Sequence, residues 1–144
     1  MTSRARVDAS LALAERALAL GDGLLCQSIC LDVIEAAPDR AGEATSLLVQ
    51  AVAASPSGQA LDGVDAARRL AAVTAPGERA FLEGLLAYRR AQSLREEGVP
   101  DFVQQEWLQR ALKLFEAALL DAPDHLHAQA HASLIRRMLA SWSA

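Results

Sequence analysis

The sequence predicts an all-α fold, an α-solenoid built from antiparallel helix pairs. Three observations carry that expectation. Alanine and leucine make up over a third of the 144 residues while aromatics contribute 4%, and both residues lose little conformational freedom on entering a helix. No stretch alternates β-branched or aromatic residues with polar ones, so no strand is predicted. A helix ending also recurs three times, over Cys26–Asp39, Val64–Gly77 and Ala111–Asp124. Each copy carries small or apolar residues at helical spacing and closes on Ala-Pro. Recurrence of one unit along a chain marks stacked repeats, which present extended concave surfaces and not enclosed reaction pockets.

Proline and glycine clusters divide the chain into seven predicted helices. The first runs from about Ser3 to Leu20 and ends at Gly21-Asp22-Gly23, where glycine tolerates the left-handed turn that closes a helix. The second covers about Leu24 to Ala37 and stops at Pro38, whose ring cannot continue a helix. Asp39 is the expected cap of the third, which reaches about Ala54 and ends in Ser55-Pro56-Ser57-Gly58. The fourth spans about Gln59 to Thr74 and is weakened by Gly63. The fifth extends from about Gly77 to Glu97 and is closed by Gly98-Val99-Pro100. Asp101 is expected to cap the sixth, about Phe102 to Leu120, and Asp124 the seventh, about His125 to Ser141. In the sixth helix Val103, Trp107, Leu108, Ala111, Leu112, Phe115, Ala118 and Leu119 form a stripe wide enough to need cover on more than one side. Short connections make neighbouring helices antiparallel. The expected domain therefore spans residues 1–144 as three helix pairs plus a C-terminal capping helix.

Counting back from Pro38, Gly21-Asp22 falls at the turn between two helices. Ser10, Leu13, Ala14 and Ala17 then share a face of the first helix, and Cys26, Cys30 and Val33 a face of the second. This pattern resembles the tetratricopeptide repeat, in which helix A reads W-x2-L-G-x2-Y, helix B carries small residues and a proline closes the unit. The first copy, about Val7 to Arg40, has the family's length of roughly 34 residues. Phe81, Gly84, Leu85 and Tyr88 repeat the helix A spacing with the large–small pair reversed. The resemblance implies repeats over about 7–40, 41–78 and 79–123, with a capping helix at 124–142. The later repeats are stretched, since the closing prolines stand at 38, 76 and 123. It also implies a concave wall drawn from the first helix of each pair. On that register Asp8, Leu11, Glu15 and Leu18 line the wall from helix one, and Thr45, Ser46, Val49 and Val52 from helix three. Glu83 with Arg89 or Arg90 follows from helix five, then His127, His131 and Arg137 from helix seven. Such a groove is apolar and acidic at one end and basic at the other, which suits an oriented peptide or helix.

The remaining chemistry narrows the class. A formal net charge of −4 and a pI near 5.3 argue against nucleic acid or an anionic membrane as partner. No window approaches 18 uncharged apolar residues, and the N-terminus lacks the apolar core and cleavage site of a secretory signal. A cytoplasmic location is the expectation, and the arginine-rich, asparagine-free composition has the look of a GC-rich bacterial genome. Cys26 and Cys30 share a helix face, but four-residue spacing is not the C-x2-C of metal or redox sites, so two small buried residues are expected. His125, His127 and His131 cluster with Asp121 and Asp124; His127 and His131 have the spacing of two ligands, without a third strong ligand or the His-Glu-x2-His glutamate. No metal and no cofactor are therefore expected. Phosphate loops, G-x-S-x-G and a Ser-His-Asp arrangement are all missing, so no catalytic residue is assigned. The carboxylate clamp of chaperone-binding tetratricopeptide proteins needs asparagines and several cations; the chain has no asparagine and only Lys113 among lysines. The expectation is a non-catalytic interaction module, an adaptor or accessory subunit that grips a segment of another protein. Two alternatives stand beside it: a metal- or redox-responsive module using His127, His131, Cys26 and Cys30, and self-assembly into a homo-oligomer through the terminal helices.

Overall fold

A computed structural model describes residues 2–55 and 63–143. Its helices are α1 (Ser3–Ala19), α2 (Gly23–Ala36), α3 (Ala41–Ala54), α4 (Gly63–Arg69), α5 (Pro76–Glu96), α6 (Asp101–Asp121) and α7 (Leu126–Ser143). Short 3-10 turns occupy Pro38–Arg40 and Leu70–Ala72, and no strand occurs among the described residues. The all-helical class is therefore as expected. The Pro56-Ser57-Gly58 break and the start of helix four at Gln59 lie outside the described residues, within which α4 covers Gly63–Arg69.

Two endings follow directly from glycine. Gly21 and Gly98 adopt φ of 84° and 73°, the left-handed region where a side chain is strained. Each closes its helix with the same bond pair: Asp22 N–H to Ala17 O (2.8 Å) with Gly21 N–H to Leu18 O (3.1 Å), and Val99 N–H to Leu94 O (3.0 Å) with Gly98 N–H to Arg95 O (3.1 Å). This six-to-one and five-to-two pattern satisfies carbonyls that a helix end leaves without partners.

The starts of α3, α6 and α7 depart from expectation. Thr2 Oγ1 accepts from Ala5 N–H and caps α1, and Asp22 Oδ1 accepts from Leu25 N–H and caps α2. Asp39 caps nothing: Pro38 opens a 3-10 turn, Asp39 lies inside it, and α3 starts with Arg40 as its flanking residue and no side-chain cap. Asp101 is the first residue of α6, where it complements the helix dipole without capping. At α7 the cap is His125, whose Nδ1 accepts from Ala128 N–H at 3.1 Å, in place of Asp124.

The chain forms two compact units, Met1–Thr74 and Ala75–Ala144. In the first, α2 packs against both α1 and α3, and α3 also meets α1, α4 and the two 3-10 turns. Leu11, Ala14, Ala17, Cys26, Cys30, Val33, Ala44, Leu48 and Ala51 form one buried cluster. Small side chains let the helices approach closely, and both cysteines serve as small apolar residues there. Gln27, also buried, donates to Ser55 Oγ at 3.2 Å, and Ser55 donates to Ala51 O at 2.6 Å, which anchors the end of α3 to α2. In the second unit α6 packs against α5 and α7. A Cβ at Gly84 would stand 2.8 Å from Phe115 Cε1. The reversed large–small pair of α5 thus has a physical reason: Gly84 is the space into which the fully buried Phe115 ring fits. Among the described residues no helix is long and apolar enough to cross a membrane.

Candidate interaction surface

The sequence-derived wall separates into residues that the structure exposes and residues that it consumes in packing. Leu11 (5% exposed) and Val49 (0%) are buried, so neither meets a partner on this surface. For Leu11 the reason is the rotation of α1. Leu11, Ala14 and Leu18 form the inward strip with Val7, while Leu13, expected at a packing position, is 52% exposed. For Val49 the reason is that α3 packs against several elements, which widens its buried arc to include Thr45 and Val52. Asp8 and Glu15 remain on the surface. Asp8 is engaged: Arg40 Nη1 donates to its Oδ1 at 2.7 Å, and the same guanidinium reaches Glu43 at 3.0 and 3.1 Å. Hydrogen bonds to Glu43 and Asp8 hold Arg40 still higher than an ordinary guanidinium. This trio ties α1 to the Pro38 turn and to the start of α3.

In the second unit the predicted residues stay accessible. Arg89 and His131 are half-buried, and Arg90, His127 and Arg137 are exposed. Glu83 pairs with Arg79 on its own helix at 3.4 Å. The three histidines of the chain, His125 capping α7 and His127 and His131 within its first turns, meet aromatic rings. His125 and His127 stand 4.6 and 4.9 Å from Phe81, ring centre to ring centre. His131 lies 5.1 Å from Phe115 and 5.5 Å from Tyr88, edge-on to the latter. His127 and His131 are 4.7 Å from each other. The result is a seam in which imidazoles of α7 cover an aromatic row of α5 and α6, at separations where ring quadrupoles favour tilted contact.

Hydrogen bonds set the ring states. As acceptor from Ala128 N–H, His125 Nδ1 carries the lone pair and the ring proton sits on Nε2. His131 Nδ1 faces the His127 carbonyl at 3.1 Å and so acts as donor, which leaves Nε2 as the basic nitrogen. Desolvation lowers the proton affinity of His127 below the ordinary imidazole range; His131 and His125 add to the shift, and Glu78 on α5 opposes it. Burial raises Tyr88, whose hydroxyl accepts from Gln92 Nε2 at 3.2 Å.

The cysteines are the counterexample. Both are fully buried in the first unit. The thiol hydrogen bond with Cys26, then burial, push Cys30 far above the usual thiol range, which keeps it protonated and unreactive. Sequence reasoning named Phe81 and Tyr88 as repeat positions but missed their contact with the histidines, and it missed the capping role of His125. The signal was present as facing periodicities, Phe81 and Tyr88 seven apart against His127 and His131 four apart. No family model, curated protein or solved structure shows a match to this chain.

Proposed function

We propose that the chain is a non-catalytic interaction module, a tetratricopeptide-like stack of antiparallel helix pairs that holds a segment of another protein. In each unit a middle helix, α2 or α6, packs against the helix before it and the helix after it. Connections of a few residues favour antiparallel neighbours, so the first unit has the makings of the pairs α1–α2 and α3–α4, and the second of the pair α5–α6 followed by α7. The observation that carries the reading is the seam. Helices α5 and α7, separated in sequence by α6, meet through Phe81, Tyr88, His125, His127 and His131. In a stack of this kind the first helices of successive pairs stand side by side and form the recognition wall. Arg90 and Arg137 are exposed on the same two helices and supply positive charge suited to a segment bearing carboxylates.

The test uses the full chain as bait in its native host, with captured proteins identified by mass spectrometry. Arg90→Glu and Arg137→Glu are expected to reduce recovery of the captured partner while leaving the melting temperature within a degree or two, as exposed substitutions usually do. Undiminished capture by both variants, or a fall in melting temperature that accounts for the loss, overturns the reading.

A further inference from the structure

We propose that His127 and His131 form a two-imidazole site on α7 for a late first-row divalent metal ion, the class of copper(II), nickel(II) and zinc(II). Four-residue spacing places both side chains over one helix face, and their ring centres are 4.7 Å apart. His131 is anchored through Nδ1 to the His127 carbonyl at 3.1 Å. An imidazole held by one nitrogen offers the lone pair of the other, which is how metal-binding histidines are commonly oriented. Phe81, Tyr88 and Phe115 back the two rings, so less rotamer freedom is lost when a ligand arrives. His127 is exposed and His131 half-buried, so the pair is within reach of solvent.

The donor set defines the ligand class. Among the described residues no group of three or more His, Cys, Asp or Glu is placed to hold a metal. Two imidazoles with solvent in the remaining positions exclude the oxygen-seeking calcium and magnesium. They favour nitrogen-seeking ions, in the order that rises from nickel to copper. Occupancy links the first turns of α7 while the rings remain against α5 and α6. The site adds to the interaction role and does not depend on it.

Isothermal titration of the tag-free, chelator-treated full chain with nickel, copper and zinc chlorides in a non-coordinating buffer tests the assignment. One ion per chain is expected, with a metal-dependent rise in melting temperature. His127→Gln and His131→Gln should each weaken binding roughly tenfold or more, at least as much as losing a supporting contact costs at metal sites. His125→Asn preserves a side-chain cap for α7 and should leave affinity unchanged. Circular dichroism verifies that each variant stays helical. Absence of saturable binding by all three ions overturns the proposal, as does binding that survives in the His127→Gln/His131→Gln double variant.

Discussion

Gly84 and Phe115 show how one residue fixes another. The glycine supplies the volume that the ring occupies, so the pair behaves as a single packing unit across α5 and α6. Gly84→Ala forces overpacking and is expected to cost about 1–3 kcal/mol. Phe115→Ala leaves a cavity and should cost about 3–5 kcal/mol. Urea denaturation monitored by circular dichroism measures both. If Gly84→Ala proves neutral, the ring has room to move and the proposed complementarity fails. The sequence displayed this pair only as an inverted motif, because a glycine's reason for being small resides in whatever approaches it. Leu11 and Val49 were illegible for a related cause. A one-residue rotation of a helix exchanges wall for core, and only tertiary contact fixes that angle.

At the level of the element, helix ends divide by how local their chemistry is. The Gly21 and Gly98 endings were legible because a left-handed residue selects glycine with no help from distant contacts. The starts were less so. Pro38 redirects the chain into a 3-10 turn and removes Asp39 from the capping position, and His125 reaches the Ala128 amide before Asp124 has a role. These assignments differ in consequence. Asp22→Ala is expected to lose about 1 kcal/mol, within the usual range for removing a cap. Asp39→Ala and Asp124→Ala should stay within about 0.5 kcal/mol of the parent. Equal losses at all three positions in thermal melts would restore the aspartates as caps.

For the molecule as a whole, the division at Thr74 and Ala75 has energetic content. Each unit buries its own small-residue or aromatic core, so damage to one core is expected to lower the protection of its own helices first. Hydrogen exchange with mass spectrometry on Phe115→Ala should show faster exchange across residues 76–143, with α1 to α3 retaining most of their protection. Uniform acceleration along the chain would mean that the two cores open as one. The all-helical class and the positions of most helix breaks were readable from composition and proline–glycine punctuation. The meeting of α5 with α7 was not, since it joins residues about forty positions apart through rings that no local pattern pairs.

The placement of the cysteines has one more consequence. Cys26 and Cys30 are the only thiols of the chain and belong to the first unit, while its only tryptophans, Trp107 and Trp142, belong to the second. The protein therefore carries a native reporter in each half. The rate at which a thiol reagent labels it times the opening of α1–α3 alone, because a fully buried sulfur reacts only from an opened state. Indole fluorescence follows α6 and α7 in the same sample, so two clocks can be read without attaching a dye.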